Sequence, residues 1–206
     1  MEIELKYNIP DKETADAIWE NTLFADMEEE DSRETLNIDA RYFDTDSFDL
    51  AGNDVAYRVR REGDHLVAAL KWKGHTEDGL HVREELNVPV EDDTPNLDVF
   101  HQSSVGSEVC ELAKDLELKS IVQTSCIRRR FRIDTGTGIF EFSIDNGEIY
   151  TKYGVAPINE VEIELFTGET EELLEIGKVL QEKYGLTEEN RSKYYRGVRM
   201  IEENRR

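Results

Sequence analysis

The first six residues, Met1-Glu2-Ile3-Glu4-Leu5-Lys6, alternate two carboxylates and an ammonium with apolar side chains. In a β-strand neighbouring side chains point to opposite faces, so Glu2, Glu4 and Lys6 share one face while Ile3 and Leu5 share the other. The alternation returns with complementary charges along the chain. Arg58 and Arg60 interleave with Tyr57 and Val59, Lys71 and Lys73 flank Trp72, and Arg83 and Glu85 flank Glu84. Arg128, Arg130 and Arg132 are spaced by two, and Glu160, Glu162 and Glu164 interleave with Val161, Ile163 and Leu165. A dense basic lining repels itself unless an anion occupies it. Carboxylate clusters suit hard divalent cations, which prefer oxygen ligands. Together they imply a site for a compact polyanion, such as a triphosphate with magnesium or manganese.

Strands that are half apolar and half charged can be satisfied in two ways. Either the charged faces meet water and the apolar faces form a sandwich, or the sheet closes, the charges line its interior and helices cover the outside. The periodicity predicts helices over 12–24, 107–118 and 170–184, enough to cover a closed sheet. It predicts strands over 36–44, 54–61, 66–73, 81–88, 118–134, 139–144, 149–153 and 159–166. Asp145-Asn146-Gly147 has the form of a tight hairpin turn, 74–79 that of a glycine-bounded turn, and 190–198 is a last element carrying Lys193. The acidic run 27–31 reads as a solvated loop, 89–106 as a long connection inside one domain, and the terminal arginines as frayed.

The chain has 206 residues, with 47 acidic against 25 Lys plus Arg and a formal charge of -22. That length fits a single domain over 1–206, and the charge argues against DNA as a partner. No apolar run is long enough to span a membrane and no secretory signal is evident, so a cytoplasmic location is expected. Cys110 and Cys126 lack metal-ligand spacing, and the scattered His65, His75, His81 and His101 make a zinc site unexpected. A homodimer is compatible with these patterns but not specified by them.

Several motifs follow in order: Glu2-x-Glu4-x-Lys6, Tyr42-Phe43-Asp44-Thr45, Arg58-x-Arg60, Lys71-x-Lys73, Arg83-x-Glu85, Arg128-x-Arg130, Asp145, Glu162-x-Glu164 and Ser192-Lys193. In these the chain resembles the CYTH, or triphosphate tunnel metalloenzyme, superfamily. Leu36-Asn37-Ile38, Gly79-Leu80-His81 and Gly147-Glu148 make it most similar to the CYTH domain of bacterial inorganic triphosphatases. Those proteins usually carry a further C-terminal helical domain, whose contribution is not carried over.

The resemblance implies an α+β fold: an eight-stranded antiparallel barrel with helices packed on its outside, forming a tunnel open at one or both ends. It implies that Lys6, Arg58, Arg60, Lys71, Lys73, Arg83, Arg128, Arg130 and Lys193 grip phosphate oxygens, and that Glu2, Glu4, Asp145, Glu162 and Glu164 hold Mg2+ or Mn2+. Lys71 and Tyr42 match a pair that helps to activate water, although either could serve only to orient substrate, and Tyr42 could be a core aromatic. Glu85 is expected to orient Arg83 or Arg130, and Glu160 to sit near the strand mouth in a supporting role. His81 reads as a satisfied edge histidine, and Trp19 and Trp72 as helix-to-barrel packing. The implied reaction is hydrolysis of tripolyphosphate to pyrophosphate and phosphate. Thiamine triphosphatase, nucleoside or RNA triphosphatase, class IV adenylate cyclase and a non-catalytic polyphosphate-binding module are the alternatives.

Overall fold

The computed structural model describes residues 1–113 and 116–205. Its strands are β1 (Glu2–Asn8), β2 (Glu34–Asp44), β3 (Val55–Glu62), β4 (His65–Glu77), β5 (Leu80–Val90), β6 (Lys119–Asp134), β7 (Ile139–Thr151), β8 (Gly154–Thr167) and the short β9 (Thr187–Glu188). The helices are α1 (Lys12–Glu20), α2 (Ser104–Leu112), α3 (Thr170–Tyr184) and α4 (Lys193–Asn204). Around the sheet the order is β5-β4-β3-β2-β6-β7-β8-β1, and β1 pairs back to β5, so eight antiparallel strands close into a barrel. Closure resolves the two arrangements left open by the sequence. In the eight barrel strands alternate side chains point inward; the outer faces are covered by helices in part, while Asn37, Asp39 and Arg41 of β2 and Gln123 and Ser125 of β6 stay exposed.

Two apolar clusters clothe the outside. Under α1 and α3 lie Leu5 and Tyr7 of β1, Phe131 and Ile133 of β6, Phe140 and Phe142 of β7, and Val161 and Ile163 of β8. Under α2 and the 3-10 turn Leu97–Phe100 lie Tyr57 and Val59 of β3 with Leu66, Ala68 and Leu70 of β4. Fully burying one such Leu or Phe is worth about 1.5–3 kcal/mol, whereas a buried ion pair often gains nothing over an apolar pair of the same shape. The exterior clusters, not the charged interior, therefore hold the barrel together. Trp19 and Trp72 pack into these clusters as expected, Trp19 edge-on to Phe131 at 6.0 Å.

A third cluster lies on the inward face. Ile38, Ala40 and Tyr42 of β2, Val122 and Cys126 of β6, Ile149 of β7 and Ile158 of β8 meet Tyr194, Val198 and Ile201 of α4. The i, i+4, i+7 spacing of those three residues puts them on one helix face. That face plugs one end of the barrel, expected to be open at one or both ends. Gly197 permits the contact: a Cβ there would sit 2.5 Å from Val122 Cγ1.

Several boundaries differ from those predicted; the helix expected over 12–24 ends at Glu20, and the last element, expected over 190–198, is α4. Asp145-Asn146-Gly147 is not a turn, because β7 runs straight through it, paired with Cys126 to Arg128 on one side and Ile158 to Glu160 on the other. The glycine there answers a close approach: a Cβ on Gly147 would lie 2.1 Å from the Ser125 carbonyl oxygen. The expected turn over 74–79 shrinks to Asp78 and Gly79, with φ of 50° and 79°, as a two-residue hairpin of the primed type requires. The helix expected over 107–118 is α2, which starts earlier at Ser104 on a Ser103 N-cap; positions 114 and 115 of that span, like Arg206, lie outside the described residues.

Candidate active site

The inward-facing charges surround a cavity of about 490 Å³. Antiparallel register decides which charges meet. Glu2 stands opposite Arg83, Lys6 opposite Glu162, Lys71 opposite Glu85, Arg128 opposite Asp145 and Arg130 opposite Glu34. Lys71 Nζ reaches Glu2 at 2.7 Å and Glu85 at 3.3 Å. The Arg83 guanidinium lies 3.3 Å from both Glu2 and Glu4. Glu85 therefore answers to Lys71 and, at 3.6 Å, to Arg58, not to Arg83 or Arg130 as the sequence suggested. Burial works against its ionisation, but Lys71 and Arg58 outweigh that and hold its carboxyl below the usual range.

Deeper in, beside α4, lies a second nest of ions. Arg128 donates two bonds of 2.7 Å to Asp145 and one of 2.7 Å to Glu162. Lys193, the first residue of α4 behind its Ser192 cap, places its ammonium among Asp145 at 2.8 Å, Glu162 at 2.9 Å and Glu160. Lys6 adds contacts of 3.0 Å to Glu162 and 3.2 Å to Glu4. Burial alone would drive the Lys6 proton off, yet Glu162, Glu4 and Glu160 hold its pKa above the ordinary value. Glu160, expected near the strand mouth, is instead fully buried at the sealed end, where it anchors Lys193 and Arg196.

Nearer the open end the charges are not balanced. Burial, with Glu2 and Glu4 close by, pushes the Glu164 carboxyl up to about 8, and among the described residues that carboxyl has no hydrogen-bond or ion-pair partner. Across the cavity, Arg58 Nε and Arg60 Nε are buried without an acceptor. Burial and then the Arg58 guanidinium bring Arg60 down to about 10. Arg58 and Arg60 keep Glu85 and Glu62 as ion-pair partners, so what is unmet is one carboxyl on one wall and two Nε donors on the wall facing it.

Of the residues singled out by sequence, Glu2, Glu4, Lys6, Tyr42, Arg58, Arg60, Lys71, Arg83, Glu85, Arg128, Arg130, Asp145, Glu162, Glu164 and Lys193 line this one cavity. Lys73 does not. A bulge after Trp72 breaks the alternation, and Lys73, at φ 52°, is exposed on the outside. Tyr42 and Lys71 keep different company: Tyr42 stands opposite Arg58 in the β2–β3 pairing and stacks on Tyr194 at 5.1 Å, while Lys71 faces carboxylates. His81 is buried, its Nε2 within 2.8 Å of the Glu189 carbonyl; burial and then Lys6 depress its pKa. Sequence reasoning missed Glu141, Cys126 and Tyr194 as lining residues. Glu141 shares the parity of Ser143 and Asp145, which could have revealed it; nothing local marks the inward position of Tyr194.

Among the described residues, one carboxylate grouping brings its oxygens close enough to share a divalent cation. The oxygens of Asp145, Glu160 and Glu162 lie within 4.8 Å of one another, but the Lys193 ammonium already sits among them. Glu164, with Glu2 and Glu4 as its nearest like charges, is the carboxyl that lacks a cation; Glu2 is already paired with Lys71 and Arg83, and Glu4 with Arg83 and Lys6.

A closed antiparallel barrel whose interior joins carboxylates to guanidinium and ammonium groups defines the class of charge-lined tunnel proteins. The family model for the CYTH domain matches residues 1–198, and the chain belongs to that family, within the triphosphate tunnel superfamily. An inorganic triphosphatase of Haemophilus influenzae is 28% identical over 157 residues, which make up 76% of this chain and 44% of the relative; the chain thus spans less than half of that protein's length. Among solved structures, HpAC1 from Hippeastrum, an adenylyl cyclase candidate described as revealing a dominant triphosphatase activity, superposes with a TM-score of 0.67 at 20% identity, covering 94% of this chain and 93% of its own. A Pyrococcus horikoshii protein superposes with a TM-score of 0.58 at 18% identity, covering 97% of this chain and 99% of its own. At these identities the two structures speak to the fold alone.

Proposed function

We propose that this chain is a metal-dependent inorganic triphosphatase that cleaves tripolyphosphate to pyrophosphate and phosphate. The observation that carries the reading is the pair of unmet demands facing each other in one cavity: buried Nε donors on Arg58 and Arg60 without an acceptor, and a Glu164 carboxyl without a cation. A metal-bound triphosphate would satisfy both at once. The activity of the Haemophilus influenzae relative supports the choice of substrate.

In this reading Arg58, Arg60, Arg83, Arg128 and Arg130 with Lys6, Lys71 and Lys193 surround the phosphates, the arginines offering planar forks that suit phosphate oxygens. Glu2, Glu4 and Glu164 would hold Mg2+ or Mn2+, which when bound neutralises phosphate charge and lowers the pKa of water. Asp145 and Glu162, also candidate metal ligands, act here through Arg128, Lys193 and Lys6, fixing those cations at the sealed end. Glu85 and Glu160 hold Lys71 and Lys193 in place. Tyr42 stands opposite Arg58, and Lys71 aims Glu2. The oxygen of water bonds to the terminal phosphorus as its bond to the bridging oxygen breaks; pyrophosphate departs and the water proton passes to solvent. Because the terminal phosphoryl develops little new covalent bonding to protein, positioning and charge do most of the work. Residues 1–206 serve as one domain, since α4 completes a cavity begun by β1.

Product analysis with tripolyphosphate, ATP and thiamine triphosphate, under Mg2+ and then Mn2+, tests the reading. Fastest phosphate release from tripolyphosphate is expected. Cyclic AMP as the main product from ATP would overturn it in favour of a cyclase, and stoichiometric binding without phosphate release would leave a binding module.

A further inference from the structure

Away from the barrel interior, the fold brings together three side chains of metal-ligand type that the sequence spacing gave no reason to combine. Asp98 and His101 belong to the 3-10 turn and its C-terminal end, and Cys110 to α2. One ligand atom from each lies within 4.8 Å of the others. His101 Nε2 is 2.9 Å from Asp98 Oδ1, and the half-buried Cys110 thiol donates to the Leu97 carbonyl at 3.1 Å, next to Asp98 in the chain.

The backbone carrying these groups is fixed. Leu97, Phe100 and Val109 are buried in the cluster over β3 and β4, so the turn and the helix are both anchored from below. Gly106 allows α2 to lie directly on the turn, since a Cβ there would be 2.0 Å from the Phe100 carbonyl oxygen. Ser103 Oγ caps α2 through the Gly106 N–H at 2.9 Å and donates to Phe100 O at 3.1 Å. Ser107 Oγ donates to His101 O at 3.2 Å. The three donors therefore approach one point from two rigidly joined elements, with solvent on the side where Asp98 and His101 are exposed.

We infer that Asp98, His101 and Cys110 form a binding site for a borderline divalent cation of the zinc type, with water completing a tetrahedral shell. Thiolate, imidazole and carboxylate together select such an ion over the hard cations suited to the barrel's carboxylates. Because sulfur binds such an ion as thiolate, uptake of the cation releases a proton. The bound ion would clamp the turn to α2 and secure the cover over β3 and β4. This site does not depend on the activity proposed for the barrel.

The test is titration of the full chain with Co2+, followed by near-ultraviolet thiolate-to-cobalt charge transfer, which carboxylate sites do not give. The band is expected to saturate at one equivalent in the wild type and in Cys126→Ser, to vanish in Cys110→Ser, and to be bleached by Zn2+. His101→Ala, at an exposed position, should weaken Co2+ binding by more than roughly tenfold, the lower end of what losing even an outer-shell partner costs. Absence of the band in the wild type, its survival in Cys110→Ser, or its loss in Cys126→Ser would each overturn the assignment.

Discussion

Glu164 is the residue at which the site is least at peace without a ligand. Its carboxyl is lifted from an ordinary 4.5 to about 8 by burial and by Glu2 and Glu4. A folded-state pKa raised above the unfolded one gives a stabilising contribution that is complete below 4.5 and is lost as pH rises through about 8. In a chelator, the wild type should therefore lose melting temperature relative to Glu164→Gln across that window; parallel melting curves against pH would contradict the assignment. Lys193 poses the opposite case. Its ammonium serves Asp145, Glu160 and Glu162 together, so Lys193→Met should cost about 3–5 kcal/mol in urea unfolding, as expected when one partner of a buried ion network is removed. A loss under about 1 kcal/mol would place that ammonium in water. At this scale the sequence was a good guide where alternation is strict, as at Glu2, Glu4, Arg58, Arg60 and Glu162. It failed at Lys73, because a bulge shifts the parity of everything after Trp72 without an obvious mark in residue type. It also failed for the partner of Glu85, because pairing follows register across strands, which one strand's own pattern does not contain.

The elements show what glycine does in this barrel. At Gly147 the neighbour that a Cβ would strike is the backbone of Ser125 and Cys126, and at Gly197 it is the side chain of Val122. A side chain can shift and a paired strand cannot, so Gly197→Ala should cost about 1–3 kcal/mol. Gly147→Ala should cost more, about 3 kcal/mol or above. Chemical denaturation of the two variants decides, and a reversed order would mean that α4 is held more rigidly than the β6–β7 pairing. The same two glycines mark what local reading could not supply. Asp-Asn-Gly is strong hairpin chemistry in isolation, and only the presence of a strand on each side makes an extended path the better choice for residues 145–147. Likewise the amphipathic stripe of α4 is visible in Tyr194, Val198 and Ile201, yet its destination inside the sheet rests on contacts with four strands distant in the chain.

For the whole molecule, the contrast lies between a net charge of -22 and a cavity wall rich in arginine. An approaching polyanion is repelled by the surface at long range and held by the interior at short range. Salt screens the first much more than the second, with a Debye length of about 30 Å at 0.01 M and about 10 Å at 0.1 M. The kcat/KM for tripolyphosphate should therefore rise as a non-coordinating monovalent salt is raised between those concentrations at fixed free Mg2+. A steep fall over that range would mean that local basic charge at the rim, not the global acidic field, governs capture.

With α4 filling one end, traffic is expected through the opposite mouth of the barrel. On the proposed function, pyrophosphate formed inside would back out by the way its parent came, and it should compete with fresh tripolyphosphate for the vestibule. On the same reading a long polyphosphate would not thread through from one side to the other. It can be trimmed only at a terminus that reaches the floor, which makes chain length itself a criterion of selection.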